Sequence, residues 1–557
     1  MRITSKIMQN NSLSNINTNK TLQDKLNTQM ATEKKINRPS DDPVVAIRAL
    51  RLRTNVSQVT QYYSKNAPDA DSWLKVTEDA LSTVSDVITD MIKQCTSGAN
   101  EKLTSQDRVT ILDALKSLRD EVYATGNADY AGRSVFTGYR TESTLKFIAD
   151  EKKTYSITEH ITTDNIDTIK HVSVGELNSI NDVNFKDTDH NGIIEQDVKT
   201  TDIHRIRLSY SDVSALSDYK MFDSDGDGTV DTNVPIIQYF DATANNGEGE
   251  YKTLAMAYQE DTDGDGNLES FNSIKISSID ATPNPYEDIQ NKPDAAILIK
   301  ETGELLLGAN VYTALMAQKD NVNTTFNESS ILVTYQKTNW EKDDLKPEHY
   351  FTCTDMSGND PDKYVTYNAA YIKPGEEVEK QVIEYDIGMN QTIRINTTAD
   401  EVFTHAIGRD VDDLINVMQS VIDMENTVKK LESMSENAVY TPDELKTINK
   451  QLDAANKALS SLMEKAQKMF ESGITKMQGH LDMANLAVTN CGTRSKKLEL
   501  VTTRLMSQKT NFETLESENE NVDITEVAIQ LSSAELTYEA ALMATGKIMK
   551  TSLMDYI

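Results

Sequence analysis

Residues 474–512 read ITKMQGHLDMANLAVTNCGTRSKKLELVTTRLMSQKTNF, and counting them in sevens decides the fold. Met477, Ala484, Cys491, Leu498, Leu505 and Phe512 form one unbroken apolar row. Such a row lies along one side of an α-helix, where a partner helix must cover it. The companion row begins apolar at Ile474, Leu481 and Val488 and turns polar at Ser495, Thr502 and Lys509, so the expected seam narrows along its length. A last helix is expected over 524–553 from the 3-4 alternation of Ile524, Val527, Leu531, Ala534, Tyr538, Ala541 and Ile548. Asp523 and Glu526 read as its capping box, with Asp in place of Ser or Thr.

The other end of the chain repeats this style. Val45, Ala49, Leu52, Val56 and Val59, then Leu74, Leu81, Val84, Ile88 and Met91, keep helical spacing, with a break expected near Asn66-Ala67-Pro68. A further helix is expected over 105–125, with Ser105 and Asp107 as capping residues and Gly126 as its stop. Neither end holds a partner for its own stripe, so the simplest solution pairs the N-terminal helices with the C-terminal ones. Between about 150 and 400 the pattern becomes alternating and rich in β-branched and aromatic residues, as in 204–210, 331–335, 365–367 and 381–396. The expected class is therefore α+β: a long α-helical coiled-coil core from paired chain ends, with a mostly β central insertion. The expected segments are 1–45 and 520–557 as terminal helices, 46–148 and 405–519 as the bundle, and 149–404 as the outward-facing insertion.

The chain has 557 residues, more than one compact core usually holds. With 56 Lys+Arg against 88 Asp+Glu its formal charge is −32, which disfavours nucleic acid and anionic membrane as partners. No stretch approaches the roughly 20 apolar residues that span a bilayer. Cys95, Cys353 and Cys491 lie too far apart for a disulfide framework or a zinc site. The opening Met1-Arg2-Ile3-Thr4-Ser5-Lys6 leads into no apolar segment, so no cleaved secretory signal is expected. The motifs of zinc proteases, serine hydrolases and phosphate-binding loops are absent, and the chain is not expected to be an enzyme. His349 with Cys353 makes a conceivable nucleophile pair, weighed against a buried thiol beside an unrelated imidazole.

Three acidic loops share one pattern, beginning at Asp187, Asp223 and Asp261. Positions 1, 3 and 5 hold Asp187, Asp189 and Asn191, then Asp223, Asp225 and Asp227, then Asp261, Asp263 and Asp265. Gly follows at position 6, and position 9 holds Glu195, Asp231 and Glu269. Alternate oxygens around a glycine turn are how hard ligands enclose Ca²⁺, so a structural Ca²⁺ is expected in acidic repeats spanning 187–272. An EF-hand would add Glu at position 12, where Val198, Val234 and Asn272 stand, so these are short EF-like loops. Solvated Asp-Gly turns are the alternative. Between positions 181 and 270 there are 20 acids and 6 bases, a local net of −14.

The run Met1-Arg2-Ile3-Thr4, then Ile36-Asn37-Arg38-Pro39-Ser40-Asp41-Asp42-Pro43 and Arg48-Ala49-Leu50-Arg51-Leu52-Arg53, resembles the N-terminal end of the flagellin superfamily. At the other end 494–500, 515–523 and 552–557 agree, as do 308–312 and 345–351 between them, so the resemblance covers about 1–148 and 300–557. It implies a structural bacterial flagellar axial protein, exported by the flagellar type III apparatus without cleavage. Its implied place is the hook-filament junction, between hook-associated protein 1 and flagellin. The implied partners are further copies of itself, hook-associated protein 1, flagellin and an export chaperone, with no nucleic acid and no membrane. The terminal helices would then stay disordered before assembly. The implied assembly residues are Ile3, Arg38, Pro39, Asp41, Asp42, Leu50, Leu52, Leu531, Ala541, Ile548 and Leu553. A flagellin-like filament subunit is an alternative, although Pro39–Pro43 and Met554–Ile557 depart from the usual flagellin ends. A calcium-dependent surface adhesion module on a flagellar scaffold is another.

Overall fold

The computed structural model describes residues 5–100, 102–173, 177, 198–221, 234–241, 250–261, 266–317, 331–358, 360–372 and 381–550. Its α-helices are α1 (Ser5–Thr32), α2 (Pro43–Gln61), α3 (Ala67–Gly98), α4 (Ser105–Thr125), α5 (Pro285–Asp288), α6 (Ala309–Met316), α7 (His405–Ser435), α8 (Pro442–Glu520) and α9 (Ile524–Lys550). The first strands are β1 (Asp129–Tyr130), β2 (Arg133–Ser134), β3 (Glu151–Ile161), β4 (Ile166–Ser173), β5 (Lys199–Arg207), β6 (Ile236–Asp241), β7 (Glu250–Thr253), β8 (Tyr258–Glu260) and β9 (Glu269–Phe271). Then come β10 (Lys275–Ser277), β11 (Ala296–Ile299), β12 (Glu304–Leu307), β13 (Ile331–Trp340), β14 (Thr352–Asp355), β15 (Val365–Tyr367), β16 (Glu384–Gly388) and β17 (Gln391–Arg394). The class is α+β, with long helices at both chain ends and the sheets between them.

The chain forms two compact units, and each is interleaved in sequence. One comprises Met1–Ser72, Glu384–Arg394 and Arg494–Ile557; the other comprises Trp73–Ile383 and Ile395–Thr493. The boundary cuts through α3 and α8 rather than falling at helix ends.

In the larger unit the bundle core is drawn from both chain ends. Leu74, Leu81, Val84, Ile88, Met91 and Cys95 of α3 are fully buried, as are Val411, Met424 and Leu431 of α7 and Ala458, Phe470, Met477 and Cys491 of α8. The seven-residue row of α8 is buried from Met477 to Leu505, while Phe512 is only half-buried. The second buried row is not Ile474, Leu481 and Val488, which stay half-exposed, but the line one residue earlier: Gly473, Ala487 and Val501. Small side chains there let the partner approach: a Cβ on Gly473 would stand 3.1 Å from Leu414 Cδ1 of α7. The larger apolar residues flank this seam.

Two local expectations change for physical reasons. The N-cap of α4 is Thr104, which exchanges hydrogen bonds with Asp107, while Ser105 Oγ donates to the Glu425 carboxylate instead. Gly126 ends α4 with φ −63°, a right-handed value, so its lack of a side chain serves space rather than a left-handed turn. A Cβ there would lie 2.4 Å from Leu145 Cδ2. The expected break at 66–68 is absent: residues Tyr62–Asn66 form a π-helical turn, closed by the Ala67 N–H on the Tyr62 carbonyl, and the helix runs on.

Two sheets build the insertion. One has the order β15-β14-β3-β13-β6-β7, and the other β10-β11-β12-β5-β4. All pairings in them are antiparallel except β10 with β11. Arg205 and Arg207 of β5 and Glu304 of β12 share one face of the second sheet, because Glu304 is opposite Arg207 and Leu306 opposite Arg205. Both arginines reach Asp413 of α7, and Tyr286 donates its hydroxyl to Glu304. Removing one member of this nearly buried set would strand an unpaired charge, so it fixes where the sheet meets the bundle.

Candidate functional site

The smaller unit is where the chain ends meet. α1 lies along α9, with Leu26, Val527 and Ala534 buried and Val522 and Leu531 packed against them. α1 is otherwise mostly polar and exposed, so this short cluster is a modest share of what a 28-residue helix needs. The unit also takes in the β16–β17 hairpin, assigned from sequence to the insertion. Asn66 Nδ2 donates to the Asp386 carbonyl at 2.8 Å, and Tyr385 donates its hydroxyl to Asp69.

The loop joining α1 to α2 contains the Arg38–Pro43 motif, and its chemistry is local. The Asp41 carboxylate accepts from the backbone N–H groups of Asn37 and Arg38 at 3.1 and 2.9 Å. Those bonds hold its carboxyl below the usual aspartate value. Asp42 caps α2 by accepting from the Val44 and Val45 N–H groups, and Pro43 occupies the first turn, where no donor is needed. Arg38 and Pro39 are exposed.

Just before this motif the chain crosses the turn between α8 and α9. Lys34 bridges Asn521 in antiparallel fashion, with Lys35 N–H on the Glu520 carbonyl at 2.7 Å and Val522 N–H on the Glu33 carbonyl at 3.1 Å. Glu33 turns the chain into it with φ +57°. Lys34 Nζ donates to Asn521 Oδ1 at 2.6 Å, and Asn519 Nδ2 to the Val45 carbonyl at 3.2 Å. At the centre is the Glu520 side chain, 4% exposed, which accepts from two guanidinium nitrogens of Arg53 and lies 3.5 Å from Lys34 Nζ. The Arg53 hydrogen bonds, helped by both positive charges, hold the Glu520 carboxyl below its usual value. This latch ties residues 486 positions apart. Sequence reasoning did not single out Lys34, Arg53 or Glu520, although Arg53 closes one of the runs that carried the resemblance and Glu520 lies inside another.

The residues expected to act in assembly fall into two groups. Asp41 and Asp42 organise the loop, Leu52 and Ala541 are half-buried, and Leu531 supports the α1–α9 cluster. Leu50 is 63% exposed and shares an α2 face with the exposed Val44 and Ile47. On α9, Ile529, Leu536 and Met543 recur every seven residues and are 66%, 68% and 68% exposed. An apolar heptad row facing solvent is a row without its partner. Ile3, Leu553 and the Ile548 side chain lie outside the described residues. At the start of α9, Asp523 accepts from the Thr525 and Glu526 N–H groups, while the Glu526 carboxylate takes the Gln530 amide.

Of the acidic loops, Asp187, Asp189, Asn191, Glu195, Asp223, Asp225, Asp227, Asp231, Asp263 and Asp265 lie outside the described residues. The third loop joins β8 to β9, where Glu260 is opposite Glu269. Asp261 Oδ2 accepts the Gly266 N–H at 2.9 Å, and Gly266 has φ +87°. This arrangement fits a metal loop and a solvated turn alike. The surroundings of His349 and Cys353 work against an activated thiolate. Burial pushes the Cys353 thiol far up and the His349 imidazole down to about 4, and His349 Nε2 lies 3.2 Å from the Thr144 carbonyl.

Residues 3–141 match the bacterial flagellin N-terminal helical region. The chain is 31% identical over 144 residues to flagellar hook-associated protein 3 of Salmonella typhimurium, covering 26% of this chain and 45% of that protein. With flagellar hook-associated protein 3 of Escherichia coli it shares 26% identity over 217 residues, covering 39% and 67%. The match thus spans about half the length of the first relative. A putative flagellar hook-associated protein from Vibrio parahaemolyticus aligns over 86% of this chain and all of its own at 12% identity, with a TM-score of 0.31, too low to carry an argument.

Proposed function

We propose that this chain, a relative of flagellar hook-associated protein 3 carrying the flagellin N-terminal helical region, is a structural flagellar axial protein that joins hook-associated protein 1 to the flagellin filament. The observation that carries the reading is the smaller unit: both chain ends are latched at Glu520, and α2 and α9 turn apolar rows to solvent. A subunit needs such rows if neighbouring copies complete its helical seams. α1 buries little of its own surface, which suits ends that gain order on assembly and reach the export machinery unfolded, with a chaperone covering the apolar rows beforehand. The matches are to structural flagellar proteins, and the chain acts by packing rather than chemistry. Among the described residues no helix is long and apolar enough to cross a membrane.

A flagellin-like filament role is the second reading, favoured by 28% identity over 127 residues to a flagellin of Clostridium tyrobutyricum. Antibody labelling of purified flagella separates the two: a single band where hook meets filament supports the junction role, and label along the whole filament refutes it. We further propose that the acidic loops hold structural Ca²⁺ through Asp261, Asp263, Asp265 and Glu269 and the corresponding residues of the first two loops, the ion offsetting the local negative charge.

A further inference from the structure

The second sheet ends on β4, and among the described residues no strand pairs with its outer edge. Successive residues of a strand face opposite sides of the sheet, so a cavity touched by four in a row meets the strand along its edge. One cavity, of about 290 Å³, is lined by Asp167, Thr168, Ile169 and Lys170 of β4, by Arg205 of β5, and by residues of α7 and α8. A strand edge facing a helix across a groove offers unpaired backbone donors and acceptors, and an extended peptide satisfies them by adding as one more strand.

The side chains state what kind of peptide. Lys465, Lys468 and Lys476 line the groove from α8, and Lys170 from the strand, in a chain that is otherwise strongly acidic. The acids nearby are already matched. Asp410 takes Lys476 and His480 at 2.8 Å each, Asp413 takes Arg205 and Arg207, and Asp167 lies 3.8 Å from Lys476. Lys465 is different: it is half-buried and makes no hydrogen bond or ion pair with any described residue. Burial and then Arg205 hold its ammonium below the ordinary lysine value, partly offset by the charges of Glu304 and Asp413, which are themselves paired with Arg205 and Arg207.

We propose that the groove between β4 and α8 binds an extended acidic peptide, which adds to β4 as a strand and sets a carboxylate against Lys465. The backbone of β4 supplies the affinity and Lys465 selects for acid, since Lys468 already pairs with Glu464 and Lys476 with Asp410.

The test uses the full chain and a fluorescent heptapeptide alternating Glu and Val, followed by anisotropy. Binding is expected, about tenfold weaker in Lys465→Glu, and weakened to a similar degree when the central Val of the peptide is replaced by Pro, which removes ladder hydrogen bonds. Thermal unfolding checks the variant; if Lys465→Glu melts early, Lys465→Met, which keeps the length and loses the charge, decides instead. Equal binding of the proline peptide, or full displacement by inorganic phosphate at matched ionic strength, would show a simple anion site and overturn strand addition. No measurable binding, or unchanged binding in the charge variant, would overturn the proposal as a whole.

Discussion

Replacing Glu520 by Gln should loosen α1 from α9 while leaving the larger unit intact. The substitution keeps the side-chain volume and one acceptor oxygen but removes the charge that two Arg53 nitrogens and Lys34 address. Hydrogen bonds to charged groups contribute about 1.5–3 kcal/mol, and the Arg53 side chain, 58% exposed, is screened by water, so the loss belongs at the low end, about 1–1.5 kcal/mol. Because roughly 1.4 kcal/mol is a factor of ten in an equilibrium, local opening of the pair should become about tenfold more frequent. Hydrogen exchange read peptide by peptide gives the result directly. Amides of Ser5–Thr32 and Ile524–Lys550 should exchange about tenfold faster at neutral pH, and those of α4 and α7 at the wild-type rate. The pH dependence carries its own sign. The folded-state value of Glu520 is depressed, so its contribution is complete above the unfolded value of 4.5 and is lost as pH falls through the lower, folded value. The two proteins should therefore converge only below pH 4.5. Unchanged exchange in α1, or equal acceleration across the whole chain, would refute the latch.

Leu536→Glu, on the exposed row of α9, should change stability by less than about 0.5 kcal/mol yet block incorporation into flagella; normal incorporation would mean that the row is not an assembly face. Gly98→Ala places a Cβ 2.4 Å from the Phe470 ring and should cost about 1–3 kcal/mol, visible as a lower melting temperature. His405, buried against Tyr210, Tyr350 and Phe351, is held neutral in the folded chain, so stability should fall as pH drops below 6.5, and a flat melting temperature between pH 7.5 and 5 would contradict its burial. Millimolar Ca²⁺ should slow proteolysis between residues 187 and 272, and equal cleavage in chelator would remove the metal from the account.

Periodicity made the long helices readable because it reports burial directly: Met477, Cys491 and Leu505 are inward in the sequence pattern and inward in the structure. It misplaced the second row by one residue, since a Gly and an Ala at the closest approach carry little hydrophobic signal while their larger neighbours at the rim carry much. The cap of α4 shifted from Ser105 to Thr104 for a similar reason, because adjacent hydroxyls are equivalent until the partner of each is known. The latch was hidden for another reason. Its ion pair joins Arg53 to Glu520 across nearly the whole chain, and no local pattern marks which of 88 acids will meet which of 56 bases. The β16–β17 hairpin belongs with the terminal helices although its sequence resembles the insertion, since strand propensity says nothing about which body a strand joins.

The π-helical turn at Tyr62–Asn66 also bears on how this chain tolerates change in length. A π turn holds one residue more than an α turn over the same span, so deleting any one of the five would let the segment relax to an ordinary α-helix. Because the π turn absorbs its extra residue locally, the deletion would remove no core side chain and would leave the helix on either side in its original phase. The extra residue is thus slack that the helix already carries, and this stretch should tolerate the loss of one residue better than the gain of another.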